Sequence, residues 1–329
     1  MAIELDIYTG KLEYKEILFD FMFDGTELRL IPPIGKEREI NHWFMKSIGD
    51  GVYVNGDPLY IEEKFLKAKI NETGQTIVFF PSYTQVGCWN SVLRVSIDFY
   101  MLNKAECSAV DRIGFTSQEI DYIYSTLIAL YYPERKEDGS ISIKTAEASA
   151  LFTEKQRFLV DDKEVYVSFG ISRTIRVREN ESPLELHSIM FFEFEDTTDY
   201  SFLIRLWRIA KSFIQYLCYR KNIQSFKTEV AAPYNDTESH IVVASLNVVE
   251  SIEDAEPELL NKGRYIKQQY ISGFEGKILS DIANGMIYQR HIPRSYSQGQ
   301  CIDASRFVMI TAAFEWEFNR CYPEGIPKK

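Results

Sequence analysis

Closely spaced cysteine and histidine ligands are missing from this 329-residue sequence. Its five cysteines are scattered along the chain without a Cys-x-x-Cys pair, and no two of its four histidines have His-x-x-x-His spacing. Zinc sites and redox dithiols are usually built from such close pairs. The sequence therefore predicts free thiols in a reducing compartment, no metal site and no other cofactor.

Signals for export or membrane insertion are also missing. No apolar run approaches the about 20 residues that a membrane-spanning helix needs. The first residues lack the basic segment and apolar core of a signal peptide. We therefore expect a cytoplasmic protein without membrane contact. The net charge of −11 disfavours non-specific binding of nucleic acid over the whole surface, but a local basic patch stays open.

Motifs of common catalytic sites are absent as well. The sequence has no G-x-S-x-G nucleophile motif, no P-loop and no G-x-G-x-x-G segment. We therefore expect a non-catalytic protein. Carboxylates that meet only in space leave one alternative, an enzyme acting on a carbohydrate or nucleic acid. Glu193 and Glu195, on one face of a predicted strand, are an example of such a pair.

The apolar residues that are present indicate a strand-rich N-terminal domain over residues 1–155. Alternating apolar positions from 93 to 99 are typical of a strand with one buried face. Asp24 and Gly25 separate two apolar runs as a hairpin turn does. Thr116 and Glu119 have capping-box spacing ahead of a short helix. Short strands joined by such turns favour a sandwich or a curved antiparallel sheet.

The remainder of the chain mixes strands with helices, so the predicted fold class is α+β. Residues 156–250 form an α/β region in which a strand over 184–194 precedes a long amphipathic helix over 202–217. A strand-like run over 225–232 completes this strand–helix–strand unit. An acidic stretch follows, and residues 251–329 have helical patterns.

A basic strand segment, S-R-T-I-R-V-R, begins at residue 172. In a strand, Arg176 and Arg178 face the same side, whereas Arg173 faces the other. Guanidinium groups bind phosphate or carboxylate with two parallel hydrogen bonds. Arg173, Arg176 and Arg178 are therefore candidate contacts for an anionic or nucleic-acid ligand. The alternative is that they pair with acidic neighbours and keep the sheet soluble.

Three features of the chain after residue 184 carry a resemblance to a known group. They are the strand–helix–strand unit, the Ile-Pro-Arg-Ser segment at 292–295 and the final helix over 306–320. In these features the chain resembles ApeA-like abortive-infection proteins, a bacterial anti-phage group. Proteins of that group look like a large N-terminal sensing region joined to a C-terminal HEPN ribonuclease domain.

The resemblance implies a role for the final helix. HEPN domains often carry Glu-x-x-x-Lys-Arg in an early helix, and Glu315, Asn319 and Arg320 match this pattern with Asn in place of Lys. The Arg and His that HEPN ribonucleases use a few residues apart are missing. The resemblance therefore implies a non-catalytic sensor region that stops at the start of a HEPN-like bundle. It further implies a phage protein or an anionic ligand as partner, and a homo-oligomer formed through the C-terminal helices.

Overall fold

The computed structural model describes residues 7–49, 52–56, 59–82, 86–89, 91–106, 109–129, 134–142, 151–175, 184–234, 239–249 and 264–324. Their fold is α+β, as the sequence predicts, with a strand-rich antiparallel N-terminal sheet and a helical C-terminal region. Within these ranges, no helix is long and apolar enough to span a membrane. The chain divides into two compact units.

The first unit draws on residues 1–110, 197–204 and 228–251. Its helix α1 spans Glu37–His42. Its strands, in chain order, are β1 (Tyr8–Tyr14), β2 (Ile17–Phe23), β3 (Glu27–Ile31), β4 (Met45–Gly49), β5 (Val52–Asn55), β6 (Leu66–Ile70), β7 (Thr76–Pro81), β8 (Gly87–Trp89), β9 (Val92–Asn103), β16 (Lys227–Pro233) and β17 (His240–Val248).

Six of these strands close into an antiparallel barrel in the order β9-β3-β2-β1-β6-β7, with β7 pairing back to β9. Alternation along β2 and β9 fills its interior: Phe19, Phe21 and Phe23 of β2 are buried, and so are the apolar positions 93, 95, 97 and 99 of β9. The predicted curved antiparallel sheet is therefore confirmed. The 12-residue β9 can close the barrel because it also pairs with β3 through Leu28 and Val95.

The second unit draws on residues 111–196, 205–227 and 252–329. Its sheet has the order β13-β14-β15-β10. Its elements, in chain order, are β10 (Val110–Thr116), α2 (Gln118–Ile123), β11 (Glu134–Arg135), β12 (Ile141–Ser142), β13 (Gln156–Val160), β14 (Lys163–Ile175), β15 (Leu184–Thr197), α3 (Ser201–Cys218, from residue 205), α4 (Glu275–Ala283), α5 (Tyr296–Gln300) and α6 (Ala304–Cys321).

Helix α3 confirms the predicted long amphipathic helix. The apolar positions of its predicted stripe are all buried. Within the second unit, Trp207 packs edge-on against Phe226, and Arg205 Nη2 lies 2.8 Å from Asp161 Oδ1 at the β13–β14 turn. These contacts hold the N-terminal half of α3, and the candidate site lies at its other end.

Both units combine segments that are far apart in sequence. The sequence predicts that residues 1–155, 156–250 and 251–329 fold as three separate modules. This division stays a prediction. Limited proteolysis tests it, because cuts should fall near residues 250–260 or 133–140 and should spare α3.

Candidate ligand-binding site

The predicted basic segment is only partly described. Arg173 lies in β14, is exposed, and has its backbone opposite Leu186 of β15. Arg176 and Arg178 lie outside the described residues. Their proposed ligand contacts therefore stay a prediction.

His187 lies on the same face of the sheet as Ser172 of the basic segment, because the two residues are opposite each other in the β14–β15 pair. His187 Nδ1 lies 3.3 Å from Asp121 Oδ2. Asp121 Oδ1 also accepts the backbone N–H of Ser188 at 2.5 Å. Burial raises the pKa of Asp121, against the opposing effect of these two hydrogen bonds. The two carboxylate oxygens thus hold both the imidazole and the strand in place.

The possible carboxylate pair at Glu193 and Glu195 has a different environment. Glu193 is half-buried and accepts a hydrogen bond from Arg112 Nη2 at 2.7 Å and another from the Lys155 ammonium. Glu195 is exposed. The Glu193 carboxylate is thus paired with two cations, which is typical of a structural ion pair.

The HEPN-like residues are all exposed on α6. Arg320 donates to Glu317 Oε2 from Nη2 at 2.7 Å and from Nε at 3.0 Å. This pair joins the fourth and fifth turns of the helix to each other. The motif residues Glu315 and Asn319 therefore share a solvent-facing surface.

The second unit contains a cavity of ≈480 Å³ at the C-terminal end of α3. Its wall combines four tyrosines, two arginines, one histidine and one cysteine, and none of its lining residues is Asp or Glu. Among the described residues of the chain, no cluster of His, Cys, Asp and Glu has the arrangement of a metal site. The residues that the argument below uses are Cys218, Tyr219, Arg220, Arg264, Tyr265, His291 and Tyr296.

Backbone hydrogen bonds build the cavity around the helix end. The last carbonyl groups of a helix lack partners within the helix. Leu217 O accepts the N–H of Ile266 at 2.9 Å, which holds the 264–266 segment against α3. The N–H groups of Lys221 and Asn222 donate to the carbonyls at 293 and 294, each at 2.9 Å. Three chain segments therefore meet where α3 stops.

Tyr219 ends α3 in a left-handed conformation, with φ of 50°. Glycine or asparagine usually takes this position, because a Cβ atom is strained there. The conformation brings the Tyr219 ring to 5.5 Å from the His291 ring. The Tyr288 ring also stacks on the His291 ring, with ring centres 6.3 Å apart and an interplanar angle of 13°. Strained backbone of this kind is concentrated at functional sites.

The charged groups of the cavity differ in burial. Arg264 is exposed, and its guanidinium carbon lies 4.3 Å from the centre of the Tyr296 ring. Arg220 is buried, with Nη2 3.4 Å from Oε1 of the fully buried Glu119. A guanidinium group is therefore present both at the rim and at the base.

Burial shifts two titratable groups of the wall towards their neutral forms. Burial raises the pKa of the Cys218 thiol to about 12, with the Glu119 carboxylate adding to the shift. Burial lowers the pKa of His291. The thiol is therefore a poor nucleophile, because nucleophilic cysteines are thiolates.

Sequence reasoning missed this cavity and misplaced one residue that supports it. Glu119 was expected in a capping box, but Ser117 is the N-cap of α2 and accepts the N–H of Ile120. Glu119 turns inward to Arg220, 101 residues later. No local pattern joins residues at such separation.

No family model matches this chain, and no curated protein or solved structure matches it.

Proposed function

We propose that this chain is a recognition region that binds a small planar anion, of the nucleotide class, in the tyrosine-lined cavity. The observation that carries the proposal is the wall of the ≈480 Å³ cavity, in which four tyrosines accompany two arginines. Ligand pockets commonly have volumes of about 300–1,000 Å³.

The two kinds of side chain recognise two parts of one ligand. Aromatic side chains stack on bases without requiring a particular base. Guanidinium groups bind phosphate through charge-assisted hydrogen bonds. Arg264 lies at the rim against Tyr296, so a base near that ring would place its phosphate within reach of the guanidinium.

The residues that line the cavity favour ligand binding over catalysis. Glycoside hydrolysis needs two carboxyl groups, and the lining residues include none. The Cys218 thiol stays protonated, with a pKa of about 12. An arginine-rich wall without carboxylates also favours anions, although the chain carries a net charge of −11.

The wider setting of this proposal comes from the resemblance to ApeA-like proteins. In that setting the chain is the cytoplasmic sensor region of an anti-phage abortive-infection protein, and a HEPN ribonuclease is the effector. Ligand binding in the cavity would be the trigger. The competing carbohydrate- or nucleic-acid-acting enzyme would instead need carboxylates assembled in space.

Calorimetric titration with a nucleoside monophosphate, the matching nucleoside and inorganic phosphate tests the proposal. The monophosphate should bind most tightly. Tyr296→Ala and Arg264→Ala should each weaken it about tenfold, because one stacked base contributes roughly 1–3 kcal/mol. Tyr270→Ala is the matched control, since Tyr270 is 72% exposed and does not line the cavity.

Two results would contradict the proposal. One is an absence of binding by all three probes at millimolar concentration. The other is wild-type affinity in both cavity variants. The double variant Arg176→Glu and Arg178→Glu distinguishes the cavity from the basic segment. If it loses monophosphate binding while Arg173→Glu binds nearly normally, the anion binds at the basic segment.

A further inference from the structure

Arg306 is a buried cation beside the cavity. The residue is 6% exposed and is the buried residue of helix α6. Its Nη1 donates to two carbonyl oxygens at the C-terminal end of α5, Gln298 O at 2.6 Å and Cys301 O at 3.4 Å. Its Nε is buried and has no hydrogen-bond partner in the part of the chain that the structure describes. A guanidinium has more N–H donors than these two contacts use.

The charge of Arg306 also lacks an anionic partner. No carboxylate of the described residues forms an ion pair with its guanidinium. The Asp303 carboxylate instead caps α6 by accepting the backbone N–H of Arg306 at 2.7 Å. A buried cation without an anion is costly, because it has lost its water without gaining a counter-ion. An anion in the neighbouring cavity would supply that counter-ion.

Gly299 leaves space between this guanidinium and the cavity wall. Gly299 and Pro293 both line the cavity. A Cβ atom at residue 299 would lie 3.8 Å from Arg306 Nη1 and 3.4 Å from Pro293, so glycine keeps the space between these two groups free of a side chain. The charge also acts on another lining residue: burial lowers the pKa of His291, and the Arg306 charge adds to that shift.

Arg264 approaches the same wall from the rim. Its guanidinium carbon lies 4.3 Å from the centre of the Tyr296 ring. Tyr296 and Gly299 are three residues apart in α5, so they are neighbours on the surface of that helix. A phosphate group at this wall would therefore lie near the guanidiniums of both Arg264 and Arg306.

We propose that Arg306 binds the phosphate group of the cavity ligand across Gly299, and so selects phosphorylated over unphosphorylated ligands. This inference rests on the proposed function, because it requires a nucleotide-class anion in the cavity. Guanidinium groups form strong charge-assisted hydrogen bonds with phosphate. The competing account is structural: arginine side chains also bind the last carbonyls of a helix, as Arg306 does at the end of α5.

Calorimetric titration with adenosine and with adenosine monophosphate distinguishes these two roles. The wild type should prefer the monophosphate. Arg306→Gln should lower this preference about tenfold, which corresponds to about 1.4 kcal/mol, and should change adenosine affinity little. Arg306→Lys keeps the charge and should keep most of the preference. A structural role would instead change the affinity for both compounds equally, because both occupy the same cavity.

Two further variants complete the test. Arg320→Gln is the matched control, because Arg320 is exposed on the same helix and paired with Glu317 at 2.7 Å; its preference should equal that of the wild type. Gly299→Ala would place a methyl group between Pro293 and Arg306 at ordinary contact distances, so it should fold and also lower the preference. It decides the question if Arg306→Gln does not fold.

The outcomes separate this inference from the proposed function. An unchanged preference for the monophosphate in Arg306→Gln, or in Gly299→Ala if the former does not fold, would overturn the role of Arg306 and leave the nucleotide cavity standing. Equal losses of affinity for both compounds in Arg306→Gln would overturn it too and assign the residue to the α5 carbonyls. If neither compound binds the wild type, both proposals fail.

Discussion

A buried ion pair beneath the cavity gives the sharpest test of the second unit. The Glu119 side chain is 0% exposed and that of Arg220 is 4% exposed. Glu119 Oε1 accepts both from Arg220 Nη2, at 3.4 Å, and from the Gln224 N–H, at 3.1 Å. The pair joins α2 to the chain after α3. Glu119→Ala would remove the carboxylate while Arg220 stays buried.

The expected cost follows from this burial. Removing one member of a buried pair destabilises a protein by about 3–5 kcal/mol. Since 1 kcal/mol shifts the melting temperature of a domain of this size by about 2–4 °C, Glu119→Ala should lower it by roughly 6–20 °C. Replacing both residues, as Glu119→Leu with Arg220→Met, should recover most of the loss, because well-packed apolar residues often substitute for a buried pair at little cost.

Urea unfolding followed by circular dichroism measures these changes. Glu39→Ala is the control, because the Lys36–Glu39 pair is about half exposed and should contribute only about 0–1 kcal/mol. A loss below about 1 kcal/mol in Glu119→Ala would refute the reasoning, as would a double variant that is less stable than the single one.

Three further changes test the second unit. Gly276→Ala should cost about 1–3 kcal/mol in urea unfolding, because its Cβ would lie 2.2 Å from the Arg157 carbonyl oxygen. Tyr219→Gly should raise the free energy of unfolding by about 0.5–1 kcal/mol, because glycine adopts the positive φ without strain. The same variant should weaken nucleotide binding. Unchanged affinity would show that the Tyr219 ring does not contact the ligand. The Cys218 pKa is raised, so its stabilising effect is complete below about pH 9 and is lost as pH rises towards 12. Unfolding free energy should fall across that window by up to about 1.4 kcal/mol per pH unit, and Cys218→Ala should flatten the fall.

Local patterns were enough to predict the elements. Alternation in β9 and the three-and-four spacing in α3 each report which side of an element avoids water, and burial in the structure follows both patterns. The α+β class and the curved antiparallel sheet follow from such patterns, since each arises from neighbours within one element. The short helix near residue 120 was also predicted, but its N-cap is Ser117 because that hydroxyl reaches the free N–H of Ile120.

Closure of the barrel and assembly of the cavity were decided by tertiary structure. Pairing of β7 with β9 depends on how strongly the whole sheet twists, which no single strand specifies. The cavity joins the end of α3 to residues near 265 and 291, and its buried pair joins residues 119 and 220. Hydrophobic periodicity carries no information about which distant polar groups will meet, because a buried charge is satisfied by whichever partner the packed fold brings within reach.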